Sequence, residues 1–310
     1  MTTLEFDINE SRNLATDKKY TPNYTNWLVL GNAFVAIEDV VKELPAGYYT
    51  IKWDRFKDIY LPVKEEINID DLLIFPNDLF VDVLNDIQTF WESSEKYSMY
   101  NYVYKRGILL YGRAGCGKSA LINLLAKELI EKHNGIVISL RDTDDLRAID
   151  KIMVSIKTIE PNRKLIIVIE DIDNFVGNND KSDLTKLLNL LDGTLQTENV
   201  VTIATSNFPE KLEERITNRP SRFDRRYEVG IPNETVRRFY ISKKIQLSAE
   251  EIETWVKETE GFTIDHIKEL ILSVTVLNYT FEKAITDIRQ MMKIKIPKNE
   301  SGIEKIGFTT

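Results

Sequence analysis

The stretch GILLYGRAGCGKSALINLLAKELIEK, residues 107–132, decides the fold. A short apolar run ends at Tyr111, the pattern GxxxxGKS follows it, and an amphipathic helical pattern begins at once. Glycines in such a loop let backbone N–H groups curve around phosphate groups, and the helix N-terminus adds its dipole. Because the strand and the helix are both in place, the loop predicts a phosphate site rather than an accidental glycine-rich turn.

Each residue of this loop has an expected role. Lys118 reaches the β- and γ-phosphates of a nucleotide, and the Ser119 hydroxyl binds Mg²⁺. Cys116, the one cysteine of the chain, is either a reactive thiolate whose pKa is lowered by Lys118 and the backbone dipoles or a small buried residue. The residues predicted to bind the nucleotide are Gly112, Gly115, Cys116, Gly117, Lys118, Ser119 and Ala120.

Two adjacent carboxylates, Glu170 and Asp171, follow the apolar run LIIVI at 165–169. Side chains alternate along a strand, so the two point to opposite sides and each needs a partner. Beside a phosphate loop, one would hold Mg²⁺ through water and the other would orient the attacking water. The plainer alternative is that they cap the next helix.

An asparagine and a group of arginines follow the next apolar run. Asn207 lies where an amide can position a water or touch the γ-phosphate, although asparagine is also an ordinary turn residue. Arg219 and Arg222 can approach a phosphate from a neighbouring subunit and stabilise charge in the transition state. Arg225 and Arg226 fit a solvated basic turn.

The order of apolar runs predicts an α/β fold, with a parallel sheet and helices on both faces. β-Branched runs alternate with helical patterns at 108–111, 136–140, 165–169, 200–204 and, more weakly, 226–230. Later patterns are helical, at roughly 233–246, 249–260, 264–277 and 281–293, and Ser248 with Glu251 predicts a capping box for the second. We expect a small β-containing partner-recognition domain at 1–73, a nucleotide-binding domain at 74–232, and a helical domain with a tail at 233–310.

Composition limits the possible functions. The 41 basic against 49 acidic residues give a net charge of -8, which argues against a general nucleic-acid binder. One cysteine and two histidines exclude a disulfide framework and a cysteine-rich zinc site. The acidic N-terminus and the short, interrupted apolar stretch at 27–37 predict a cytoplasmic protein without a membrane partner.

Taken together, residues about 76–232 resemble the AAA+ ATPases. The match is best to the Bcs-type proteins, the group that contains the mitochondrial chaperone assembling the cytochrome bc complex, and the order Glu-Asp at 170–171 resembles that group. The segments that carry the resemblance are YKRGILLYGRAGCGKS, LIIVIEDID, LLNLLDG and TIATSNFPEKLEERITNRPSRFDRRYEVGIP. The resemblance implies ATP and Mg²⁺ as cofactors, hexameric or heptameric rings with ATP between subunits, and a four-helix lid after Pro232.

The resemblance also implies roles for single residues. Lys118 and Ser119 match the Walker A site, Glu170 and Asp171 the Walker B pair, Asn207 sensor 1, and Arg219 with Arg222 the arginine-finger region. With strand alternation, this makes Asp171 the catalytic base and Glu170 the ligand of a Mg²⁺-bound water. The expected catalytic residues are therefore Asp171, Glu170, Asn207, Arg219 and Arg222, and the expected metal ligands are Ser119 and Glu170.

The sequence departs from the family pattern in three places. Arg113-Ala114 replaces a usual Pro-Pro, the segment RDTDDLRAIDKIM lacks the aromatic pore-loop motif of threading unfoldases, and the N-terminal region lacks the transmembrane segment of the mitochondrial relatives. The expected function is ATP-driven remodelling or chaperoning of a protein partner by a ring. The alternatives are a DNA-associated factor such as a helicase loader, which Arg141, Arg147 and Lys151 would permit, and a nucleotide-switched scaffold with little turnover.

Overall fold

The computed structural model describes residues 26–30, 33–37, 40–54, 59–67, 73–75, 79–176, 181–192, 198–212 and 222–293. The chain divides into two compact units, Met1–Leu44 and Pro45–Thr310. In the first unit, β1 (Asn26–Leu30) and β2 (Ala33–Ile37) form an antiparallel hairpin. Within the described part of the chain, no helix is long and apolar enough to cross a membrane.

A seven-stranded sheet forms the centre of the second unit. Its strands are β3 (Gly47–Asp54), β4 (Ile59–Glu65), β5 (Lys105–Tyr111), β6 (Ile136–Leu140), β7 (Leu165–Ile169), β8 (Val200–Ser206) and β9 (Arg225–Glu228), in the spatial order β4-β3-β6-β7-β8-β5-β9. Every neighbouring pair is parallel except the hairpin of β3 and β4. Strands β6, β7 and β8 are buried along their whole length, which explains their continuous apolar runs. The α/β fold class is confirmed.

The sheet extends further toward the N-terminus than expected. The sequence places residues 47–65 in a separate domain over 1–73, but β3 pairs in parallel with β6, with Gly47 beside Ile136 and Thr50 beside Ser139. The local pattern YYTI predicts a strand correctly and says nothing of its partner, which lies some 90 residues further along the chain. The central sheet therefore includes β3 and β4, which lie before residue 73. The predicted assignment of residues 47–65 to a separate domain is corrected.

Helices cover both faces of the sheet. They are α1 (Leu79–Glu92), α2 (Ser94–Met99), α3 (Lys118–His133), α4 (Thr143–Ile159), α5 (Asp173–Val176) and α6 (Lys181–Asp192). On one face, α1 and α3 pack on alternate strand residues such as Ile166 and Val168. On the other, Met153 of α4 and Leu190 of α6 approach Ile167. Because β5, β7 and β8 run parallel, their carboxyl ends lie at one edge of the sheet.

Four helices follow the sheet, as the sequence predicts. They are α7 (Glu234–Lys244), α8 (Ala249–Glu258), α9 (Ile264–Thr275) and α10 (Phe281–Lys293). They bury a core of their own that includes Tyr240, Trp255 and Ile267. The capping box of Ser248 and Glu251 forms at the start of α8.

Candidate nucleotide-binding site

The loop between β5 and α3 requires its glycines. Gly112, Gly115 and Gly117 have φ of 147°, 79° and 101°, values that other residues adopt only with strain. Gly112 is also crowded, since a Cβ there would stand 2.3 Å from the Val229 carbonyl oxygen. Gly117 then precedes the first turn of α3, so the loop ends at a helix N-terminus.

Lys118 lies at the centre of this loop. Its side chain is only 6% exposed, and the ammonium donates to the carbonyl oxygens of Gly112 at 2.8 Å and Arg113 at 3.1 Å. A third bond, of 2.6 Å, reaches Oδ1 of Asn207. Burial lowers the pKa of the Lys118 ammonium, and the carboxylate of Asp171 acts in the opposite direction. The lysine is thus held by acceptors that a phosphate can replace.

The two adjacent carboxylates, which follow the end of β7, have different partners. Glu170 accepts a hydrogen bond from the Ser119 hydroxyl, whereas Oδ1 of Asp171 accepts one of 2.7 Å from Nδ2 of Asn207. Ser119 and Glu170 are thereby brought together on the side predicted for the metal. One carboxylate and one hydroxyl suit Mg²⁺, which in such sites takes its other ligands from water and substrate phosphates.

Asp171 has a backbone conformation that its environment has to maintain. Its φ is +48°, in the left-handed region, and its N–H donates to Oγ1 of Thr205 at 2.8 Å. The following N–H, of Ile172, donates to the Thr205 carbonyl oxygen at 2.9 Å. Strained residues of this kind persist where the surroundings fix them, and they concentrate at functional sites.

Asp173 is a residue that the sequence reasoning missed. Its Oδ1 accepts from the Ser206 hydroxyl at 2.9 Å, and its Oδ2 accepts from the Asn207 N–H at 3.0 Å. It therefore fixes the backbone from which the Asn207 amide extends. The signal was present, because Asp173 belongs to the quoted segment LIIVIEDID, but a carboxylate at the start of a helix has a simpler explanation as a cap.

Residues at the start of α9 touch the loop, which the sequence could not predict. The N–H of Asp265 donates to the Gly115 carbonyl oxygen at 3.2 Å. A Cβ on Gly115 would lie 2.9 Å from the Thr263 hydroxyl. The four-helix part of the chain therefore contacts the loop directly, and only glycine fits there.

Two adjoining cavities open beside the loop. One, of about 360 Å³, is lined by Lys118, Ser119, Asp171 and Asn207 together with Lys268 of α9. The other, of about 200 Å³, is lined mainly by apolar residues, and its wall includes Cys116. The residues that line both are Leu73, Phe75, Gly117, Ala120 and Ile264. A polar cavity at the loop joined to an apolar one matches the shape and polarity of a nucleotide.

The structure places Arg222 in an ion pair within its own chain. Its side chain is 4% exposed and makes two hydrogen bonds to the carboxylate of Asp192 in α6, at 2.8 and 2.7 Å. Arg222 therefore has an acidic partner within its own subunit. The sequence could not predict this partner, because Asp192 lies 30 positions away.

Arg219 lies outside the described residues. Arg225 is exposed, as expected, although it belongs to β9 and not to a turn.

Removing Arg222 should therefore destabilise the fold. Arg222→Ala leaves the Asp192 carboxylate partly buried without its cation, which costs about 3 kcal/mol of the free energy of unfolding. Urea unfolding measures this, with the exposed Arg226→Ala as the matched control. A variant as stable as the wild type would contradict the importance of this ion pair.

Of the two alternatives for Cys116, a reactive thiolate or a small buried residue, the structure supports the buried residue. Its side chain is 5% exposed, and burial raises the pKa of the thiol despite the opposing effect of Lys118. The hypothesis of a reactive thiolate is therefore wrong for this structure. Burial outweighs the nearby positive charge because the loop packs the thiol against the core that includes Leu121 and Val229.

We expect slow labelling of Cys116 by maleimide. At pH 7 the rate should be below roughly a tenth of the rate for glutathione, since the raised pKa reduces the thiolate fraction and burial restricts access. The rate should rise as the pH approaches and passes the raised pKa. The chain has a single thiol, so mass spectrometry of the intact protein follows it directly. Rapid labelling of the folded protein at neutral pH would contradict this placement.

The fold and site together define a phosphate-loop nucleotide-binding domain, and a family model matches this part of the chain. Residues 108–231 match the family described as "ATPase family associated with various cellular activities (AAA)". This part of the chain is similar to AAA domains, and the resemblance to the AAA+ ATPases, including its Bcs-type members, is confirmed.

Three curated relatives illustrate the similarity. The "Mitochondrial chaperone BCS1" of Homo sapiens is 30% identical over 161 residues, covering 48% of this chain and 37% of the relative. The "ATP-dependent zinc metalloprotease FtsH 1" of Alkaliphilus metalliredigens is 26% identical over 231 residues, covering 70% and 39%. "Cell division protein C" of Sulfolobus acidocaldarius is 24% identical over 278 residues, covering 78% and 74%. The chain thus matches less than half the length of the first two.

Proposed function

We propose that the chain binds ATP with Mg²⁺ at this loop and hydrolyses it. The observation that supports this best is the continuous set of hydrogen bonds from Lys118 through Asn207 to Asp171, beside the bond between Ser119 and Glu170. Groups suited to the phosphates, to the metal and to the attacking water thus meet at one edge of the sheet.

Each group then has a separate task. Lys118 exchanges its carbonyl acceptors for the β- and γ-phosphates, and Ser119 and Glu170 hold the ion that neutralises charge on them. Asp171 accepts a hydrogen bond from the attacking water, and Asn207 orients both Asp171 and the γ-phosphate. The Asp171 side chain is one methylene shorter than a glutamate, so its reach to the water is less favourable and slow turnover is expected.

We further propose that hydrolysis takes place in a ring of six or seven copies and serves to remodel or chaperone a protein partner. A relative named a mitochondrial chaperone and another named a metalloprotease support a protein substrate. Arg219 remains the candidate for the arginine supplied to a neighbouring site, since Arg222 is engaged by Asp192. A cytoplasmic location remains a prediction.

The contacts of two arginines weigh against the DNA-associated alternative. Arg141 donates to Glu65 at 2.6 Å, and Arg147 donates to Asp144 at 3.1 Å. Both guanidinium groups are thus partly neutralised by carboxylates and do not form an isolated basic patch for phosphates. The scaffold alternative is less well supported, because Lys118, Ser119, Glu170 and Asp171, whose side chains suit hydrolysis, lie together in one site.

Assembly should control turnover. ATPase activity per subunit should rise with protein concentration as rings form, because an arginine from the next subunit can stabilise the transition state by on the order of 10³-fold. Analytical ultracentrifugation on the same samples gives the assembly state. Mixing Lys118→Ala with Arg219→Ala protein should restore some turnover, through interfaces that hold both an intact loop and an intact arginine. Constant activity across the assembly range, with no rescue in mixtures shown to co-assemble, would overturn the ring proposal.

A further inference from the structure

A third cavity lies at the opposite edge of the sheet from the phosphate loop. It has a volume of about 810 Å³ and opens where β5, β7 and β8 begin. Its walls include Trp91 of α1, Glu95 of α2, Tyr102, Lys164, Glu198 and Asn199. We name it the indole cavity. It shares no lining residue with the two cavities beside the loop.

Two buried polar atoms of this cavity's walls lack partners among the described residues. Trp91 is 8% exposed, and its indole N–H has no acceptor. Oδ1 of Asn199 has no donor, although Nδ2 of the same side chain donates to the Asn162 carbonyl oxygen at 3.3 Å. Buried groups of this kind normally have partners, and leaving one unpaired is costly. The unpaired donor can pair with a peptide carbonyl and the unpaired acceptor with a peptide N–H.

The charges of the indole cavity favour a cation. Glu95 and Glu198 are exposed and make no ion pair within the described chain. The one lysine of the wall, Lys164, keeps its positive charge; its ammonium lies 4.9 Å from the Trp91 ring centroid and 3.2 Å from Nδ1 of His133. The wall thus carries two carboxylates and one ammonium, and the excess of one negative charge favours a basic ligand over nucleic acid.

The segment Met99–Val103, which contributes Tyr102 and Val103 to the cavity wall, is largely apolar and exposed. Met99 is 76% exposed and Tyr102 is 70% exposed. Tyr100 and Val103 are exposed as well. The rings of Tyr100 and Tyr102 lie 6.4 Å apart. Contiguous exposed apolar side chains next to a concave surface are typical of a protein interaction site, and tyrosine rings also accept cations on their faces.

We propose that the indole cavity binds an extended, basic polypeptide segment of a partner protein that carries an apolar side chain. After small movements of the two side chains, a peptide carbonyl accepts from Trp91 and a peptide N–H donates to Asn199. A lysine or arginine of the segment lies between Glu95, Glu198 and the ring of Tyr102. This site is separate from the nucleotide site, so it does not depend on the proposed ATPase function.

The test uses the full chain and a fluorescent hexapeptide, KLYKLK, with its acidic counterpart ELYELE as a control probe. Fluorescence anisotropy should show saturable binding of the basic peptide alone. The double variant Glu95→Gln, Glu198→Gln should weaken binding about tenfold, as expected for the loss of two exposed ion pairs. The matched control Glu260→Gln, Asp287→Asn makes the same change of net charge on exposed residues of another part of the fold and should leave the affinity unchanged.

A second readout locates the peptide. The chain has four tryptophans, so ¹⁵N-labelled indole groups give few NMR signals, and Trp91→Phe assigns one of them. The basic peptide should shift the Trp91 indole signal. The double variant should have the same ATPase activity as the wild type. The proposal is overturned if the signal does not move at saturating peptide, if both double variants bind alike, or if spermidine competes as well as the peptide, which would indicate recognition of charge alone.

Discussion

Lys118→Ala should weaken ATP binding by at least roughly 100-fold while the chain remains folded. The substitution removes the buried ammonium that now bonds the Gly112 and Arg113 carbonyl oxygens and Asn207. Charge-assisted hydrogen bonds contribute about 1.5–3 kcal/mol each, so the loss of two phosphate contacts corresponds to this factor or more. Isothermal titration with ATP and with ADP measures it.

The matched control is Lys127→Ala, an exposed lysine of the same helix whose ion pair with Glu131 lies on the surface. It removes the same charge from α3 and should bind ATP as the wild type does. Circular dichroism confirms that both variants fold. An affinity of Lys118→Ala within a few-fold of the wild type would refute the assignment of the site.

Asp171→Asn should keep ATP binding and lose hydrolysis by roughly 10²–10⁴-fold, the usual contribution of a general base. Asparagine preserves the size of the side chain and its hydrogen-bonding oxygen toward Nδ2 of Asn207, but it cannot take a proton from water. Quench-flow measurement of a single turnover separates this loss from any change in product release.

Glu170→Gln is the paired variant, and it should act through the metal. Because Glu170 bonds Ser119 and not Asn207, its loss should raise the Mg²⁺ concentration required for half-maximal activity more than it lowers the rate at saturating Mg²⁺. If Asp171→Asn hydrolyses normally and Glu170→Gln is inactive at any Mg²⁺ concentration, the two roles are exchanged.

The parts of the site that could be predicted are those written in short segments. The phosphate loop is eight consecutive residues, and the acid pair ends one strand. The capping box of Ser248 and Glu251 spans four residues, and it forms as predicted. In each case the chemistry depends on neighbours in the chain, which a sequence displays directly.

The parts that could not be predicted depend on contacts between distant segments. Arg222 is paired with an aspartate 30 positions away, β3 pairs with a strand about 90 positions away, and Asp265 touches a loop 150 positions before it. Cys116 illustrates a different limit. Burial raises the pKa of its thiol and the positive charge of Lys118 lowers it, and only the packing of the folded chain decides which effect is larger.

The most direct test is a single-turnover measurement of phosphate release from ATP by the assembled wild-type chain, with and without Mg²⁺, beside Asp171→Asn. The account predicts Mg²⁺-dependent release by the wild type, and ATP that stays bound and intact on Asp171→Asn. Phosphate release that is independent of Mg²⁺, or equal in the two proteins, would contradict the assignment of this loop and these carboxylates as an ATP-hydrolysing site.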